Sequence, residues 1–116
     1  APEVGGLDLF VGHDTNVTAL AAALGVTLKA SDYADGDVPP GGALVFMSVV
    51  DSTGRRSVRV YYQTQSLDAL RRLDDRVSRS EIVLGGAGRR GRGAIPLDAF
   101  RRRLSAALEA HANALD

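Results

Sequence analysis

The sequence predicts an α/β fold, and three observations carry that prediction. An apolar, strand-like run at residues 7–11 passes through Gly12, His13 and Asp14 into a segment with helical spacing. Two β-rich runs then flank a short turn at residues 51–54, as the arms of an antiparallel hairpin do. A closing segment from Pro96 onward repeats its apolar residues at helical spacing. The 116 residues are one domain's length. Such a chain can bury roughly 65% of its unfolded surface.

Leu7, Leu9, Phe10 and Val11, interrupted only by Asp8, read as a strand buried on both faces. Val17, Leu20, Ala21 and Leu24 then form one helical stripe, with Asp14 or Thr15 as N-cap and Gly25 just past the end. Residues 30–42 are a polar surface connection rich in Asp, Gly and Pro. Asp32, Asp35 and Asp37 in that loop lack the twelfth-position Glu and the flanking helices of a calcium loop.

Residues 43–50 form a nearly unbroken apolar strand. After the turn, Val58, Val60 and Tyr62 alternate with Arg59, Tyr61 and Gln63, which predicts one wet face. Ser66 caps a short helix with Leu67, Leu70 and Leu73 turned inward. One more short strand is expected at residues 81–84. Residues 85–93, with five glycines and three arginines, read as a solvated loop. Pro96 opens the last helix, whose stripe is Leu97, Phe100, Leu104 and Leu108. Asp98 lies near the positive end of its dipole and His111 is solvated in its polar tail.

Composition excludes several classes of function. Fourteen basic and fourteen acidic residues cancel, which argues against a dedicated nucleic-acid or membrane-surface binder. The arginine-glycine segment is one short copy in a neutral chain, so no nucleic-acid partner is expected from it. No apolar run is long enough to span a membrane. The absence of cysteine excludes disulfides and thiolate chemistry. His13 and His111 are too few for a zinc site, and no metal or cofactor is expected. A G-x-S-x-G elbow and the glycine signatures of phosphate loops are missing too.

The chemistry therefore concentrates on His13 and Asp14, where a strand's carboxyl end would meet a helix's amino end. Ligands bind at such junctions in open α/β sheets, and helix amino ends favour anions. Two readings of the pair stand side by side. In one, Asp14 caps the helix and His13 packs under the loop. In the other, His13 donates hydrogen bonds to an anion while Asp14 protonates a leaving group.

GHDTNVTALAAALG, then YADGDVPPGGALVF, then VRVYYQTQSLDALR resemble the carboxyl-terminal part of the histidine acid phosphatases. That branch of the histidine phosphatase superfamily includes periplasmic phytases and glucose-1-phosphatase. The resemblance runs over residues 7–104 in the family's order and extends to the late PLDAF segment. It implies a mixed sheet with flanking helices, a phosphate monoester substrate and a periplasmic or secreted location. It further implies that Asp14 is the proton donor to the leaving alcohol, that His13 is a ligand of the transferred phosphoryl group and that Thr15 lines the substrate pocket. Asn16 belongs to the same motif with a structural role at the helix start.

Two departures from the family qualify what this chain does by itself. The family's nucleophilic histidine sits in an R-H-G-x-R-x-P motif that these residues lack, and His13 matches the family's second histidine instead. The cysteine pair that many relatives carry near residues 85–94 is also replaced, which removes a staple and predicts a mobile loop there. The expectation is a single domain or fragment, residues 1–116, that supplies the acid side of a phosphomonoesterase acting through phosphohistidine and is inactive alone. Its strand at residues 7–11 would expose an edge, so it should pair with the missing amino-terminal segment or self-associate. The alternative is a non-catalytic phosphate-ester-binding or oligomerisation module derived from that enzyme.

Overall fold

A computed structural model describes residues 5–84 and 93–115, without the side chains of residues 111 and 113–115. It is a mixed α/β architecture: an antiparallel four-stranded sheet with helices packed on one face. The elements run α1 (Asp14–Leu24), β1 (Ala43–Val50), β2 (Arg56–Thr64), α2 (Leu67–Arg71), β3 (Ser78–Ile82), β4 (Ile95–Pro96) and α3 (Leu97–Leu115).

β2 is the organising strand. β1 pairs along one of its edges over the full hairpin, from Ala43 opposite Gln63 to Val50 opposite Arg56. The other edge takes β3 at residues 60–64 and β4 at Ser57 and Val58. The hairpin turn closes on Asp51. One carboxylate oxygen accepts from the Thr53 N–H (2.9 Å), the Thr53 hydroxyl (2.6 Å) and the Arg55 N–H (2.9 Å). Those bonds, from the Thr53 hydroxyl foremost and then the Arg55 N–H, hold the Asp51 carboxyl below the usual carboxylate range. Gly54 supplies the positive φ, 82°, that the turn needs.

Alternation along β2 sorts its two faces as the spacing predicts. Val58, Val60, Tyr62 and Thr64 are buried. Val58 and Val60 pack with Leu24 of α1, Leu84 and Ile95, and Phe100 and Leu104 of α3 close over them. Fully burying Leu24, Val60 and Leu84 contributes roughly 1.5–3 kcal/mol each. Tyr62 joins Ala21 and Leu28 in an adjoining cluster. Its hydroxyl has no hydrogen-bond partner among the described residues, and burial pushes its pKa up. On the opposite face the Arg59 guanidinium forks onto Glu81, two bonds of 2.7 Å, and Arg59 and Arg79 both lie over the Tyr61 ring.

α1 ends as its sequence predicts. Gly25 adopts the left-handed conformation, φ 72°, and the Val26 N–H returns to the Ala21 carbonyl. The Leu24 carbonyl accepts from Arg103 Nε at 3.2 Å, which fastens α3 to the end of α1. Ser66 caps α2 by accepting from the Ala69 N–H at 3.1 Å.

Several expectations give way. Residues 7–11 form no strand. Leu7, Leu9, Phe10 and Val11 are 80–91% exposed, because no described segment lies alongside to complete a ladder. The N-cap of α1 is His13, one residue before Asp14 and two before Thr15, the expected candidates. In α2, Ala69 is the buried residue and Leu70 is exposed; Leu73, two residues past the helix end, is exposed too and takes a positive φ of 55°. The third strand begins at Ser78 and ends at Ile82, since β2 offers it residues 60–64. Pro96 lies in β4, immediately ahead of α3, whose Leu108 is exposed beyond the end of the core. The glycine-arginine segment falls outside the described residues except for Gly93, and so does the side chain of His111.

Candidate active site

The amino end of α1 carries every residue singled out for chemistry. His13 is extended, φ −113° and ψ 170°, and its carbonyl accepts from the Asn16 N–H (3.0 Å) and the Val17 N–H (3.4 Å). Asn16 Oδ1 reaches back to accept from the His13 N–H at 2.8 Å. This is the reciprocal half of a capping box, with Asn in the place usually held by Glu or Gln. Asp14 is the first helical residue, and its Oδ1 accepts from the Thr15 N–H at 2.9 Å.

These bonds fix the backbone of the first turn. His13, Asp14, Thr15 and Asn16 are all exposed. His13 is not packed under the loop, and the Asp14 carboxylate engages only the next N–H rather than capping the helix from outside. Oδ1 of Asp14 accepts from the Thr15 N–H, and the carboxylate as a whole stands exposed. The helix dipole adds a positive potential beside His13, which suits an anionic ligand.

The site is open rather than enclosed. Two clefts among the described residues lie elsewhere. One, of about 350 Å³, is lined by Arg55, Arg56, Leu97, Asp98 and Arg102. The other, of about 390 Å³, lies between residues 26–29 and β3, against Tyr62. Neither is lined by His13, Asp14 or Thr15. No cluster of three or more His, Cys, Asp or Glu side chains suited to a metal ion occurs among the described residues. No described helix is long and apolar enough to cross a membrane.

Spacing placed His13, Asp14 and Thr15 together correctly on one turn. It left out Gly12. A Cβ at residue 12 would sit 2.6 Å from Asn16 Oδ1 and 3.1 Å from Asn16 Cγ, so a side chain there would shift the oxygen that accepts from the His13 N–H. The signal in the sequence is a glycine directly before an x-x-x-Asn capping pattern, which carries meaning only once the Asn rotamer is known.

No family model matches the chain, and no curated protein does. Among solved structures the chain is similar to the phytase of Klebsiella sp. ASR1, with 31% sequence identity and a TM-score of 0.70. The likeness covers 82% of this chain and 26% of the phytase. The chain thus spans about a quarter of the length of that enzyme.

Proposed function

We propose that this chain is the carboxyl-terminal, acid-supplying part of a phosphomonoester hydrolase of the histidine acid phosphatase type. The observation that carries the reading is the exposed His13–Asp14 pair heading α1 in a chain that, over 82% of its length, is 31% identical to a phytase with a TM-score of 0.70. In this reaction a histidine outside the described residues attacks phosphorus. The bond from phosphorus to the ester oxygen breaks as the proton on the Asp14 carboxyl passes to that oxygen, and the alcohol departs. His13 donates to an equatorial phosphoryl oxygen and Thr15 lines the pocket. Water then attacks the phosphohistidine and loses its proton to the Asp14 carboxylate, which restores the acid, while the phosphorus–nitrogen bond breaks to release phosphate and free the histidine. A periplasmic or secreted location belongs to the same reading.

The open geometry supports a site completed by other residues. A fully formed phosphatase site encloses its phosphoryl group, whereas His13 and Asp14 are exposed and line neither of the two clefts described above. The 116-residue chain is therefore expected to leave p-nitrophenyl phosphate intact at acid pH. Robust, Asp14-dependent turnover by the chain alone would overturn the proposal. With the nucleophile-bearing part restored, Asp14→Asn should slow poor leaving groups far more than good ones.

A second reading, an oligomerisation module derived from such an enzyme, is favoured by one observation. Leu7, Leu9, Phe10 and Val11 are exposed together, and β1 is an edge strand with Phe46, Met47 and Val50 partly bare. Light scattering after gel filtration distinguishes the two. A stable oligomer that binds no phosphate ester supports the module; phosphate-dependent assembly with a nucleophile-bearing partner supports the enzyme.

A further inference from the structure

We infer that Gly12 and Asn16 are positioning residues that lock the His13 backbone, so that the His13 and Asp14 side chains leave the helix start in one orientation. The inference rests on the reading of the site given above. Its geometric half stands without it.

Both ends of His13 are held by the same residue. The Asn16 side chain accepts from the His13 N–H at 2.8 Å, and the Asn16 N–H donates to the His13 carbonyl at 3.0 Å. A rotation of the His13 backbone breaks one bond or the other. Asn16 Oδ1 reaches the His13 N–H only by occupying the space where a side chain at residue 12 would begin. An ideal Cβ there would stand 2.6 Å from that oxygen, closer than Cβ atoms approach any neighbour. A side chain at residue 12 would displace that oxygen, the atom that accepts from the His13 N–H. The two residues act as one device, and either substitution should produce the same defect.

Such a device matters because an acid and a phosphate ligand on adjacent residues share one backbone. Misplacement of a reacting group by about 1 Å is worth up to a hundredfold in rate. Asn16 makes its contact with the His13 N–H through its side-chain oxygen, an acceptor that a carboxylate at residue 16 would also supply.

Amide exchange followed by NMR on the 116-residue chain reads the lock directly. Exchange of the His13 N–H should accelerate about tenfold, the value of one lost hydrogen bond, in Asn16→Ala and in Gly12→Ala. The double variant should show no further acceleration. Asn16→Asp should keep the parent rate, since its carboxylate still accepts. Unchanged amides at residues 21–24 show that α1 remains folded. Parent-like protection of His13 in Gly12→Ala, or additive effects in the double variant, would overturn the lock.

The catalytic half is read with the nucleophile-bearing part restored. Gly12→Ala and Asn16→Ala should each lower kcat for a poor leaving group about tenfold or more while KM stays within about twofold, with much less loss for p-nitrophenyl phosphate. Asn16→Asp should recover most of that kcat. Equal loss on good and poor leaving groups would overturn the positioning role. Asp14→Asn is the separate control: if it leaves the leaving-group dependence unchanged, the acid reading fails, whatever the exchange data show for the lock.

Discussion

Residues 7–11 and strand β2 are both rich in β-forming apolar residues, yet one lies bare and the other is the centre of the fold. β2 has neighbours on both edges and helices over one face, so its alternation is converted into buried Val58, Val60 and Tyr62. Leu7, Leu9, Phe10 and Val11 are more uniformly apolar, but no described segment offers them a ladder, and they remain 80–91% exposed. Apolar composition proposes a strand; pairing partners decide it.

The sharpest way to break that comparison is to truncate one residue on each side. Leu24→Ala empties a fully buried position beneath β2 and should lower unfolding stability by about 3 kcal/mol in urea titration. Phe10→Ser should change the same measurement by no more than about 0.5 kcal/mol. A comparable loss in both would mean that residues 7–11 are buried in solution.

Two changes of intermediate size test polar groups in the two regions. Asn16→Ala removes the bond to the His13 N–H and should cost about 1 kcal/mol, read as a lower urea midpoint. Tyr62→Phe deletes a buried hydroxyl without a described partner and should stabilise by about 1 kcal/mol. A destabilised Tyr62→Phe would show that the hydroxyl is bonded in solution, and the contrast between an exposed, satisfied helix start and a buried, unsatisfied core group would fall.

The smallest effect is electrostatic and depends on pH. The Arg59 guanidinium, donating to Glu81, holds that carboxyl below the usual glutamate range. A depressed folded-state value means stability that is present above the unfolded-state value and lost as pH falls through the folded one. Thermal melts of Glu81→Gln should therefore trail the parent most near neutral pH, and the gap should close at pH values below the ordinary glutamate range. The lowered Asp51 carboxyl is common to both proteins and cancels in the difference. A gap that widens in acid would reverse the assignment.

What was legible beforehand was local. The stripe Val17, Leu20, Ala21, Leu24 specifies α1, Gly25 its end, and Ser66 the start of α2, because each feature depends on residues within one or two turns. The hairpin was readable for the same reason, its turn chemistry lying between its arms. At the site, the sequence order His13-Asp14-Thr15 ahead of an apolar stripe was enough to put these residues on one helix start. The inward assignment of Leu70 and Leu73 failed because α2 stops at Arg71, and a five-residue helix has no continuous stripe to bury.

By itself, then, the sequence determined the elements whose instructions are contiguous: the body of α1 with its carboxyl end, the start of α2, one hairpin with its alternation, and the pairing of a histidine with a carboxylate at a helix start. Tertiary structure decided whatever needs a distant partner. It brought Glu81 across from β3 to Arg59, closed Arg103 onto the Leu24 carbonyl, and set β3 three residues earlier than its own pattern suggests. It also left residues 7–11 unpaired and made Gly12 meaningful, through an Asn16 oxygen that would fill the space of its missing Cβ. The reason is the same in each case: periodicity and capping are properties of one segment, while a ladder, an ion pair or a steric limit exists only between two.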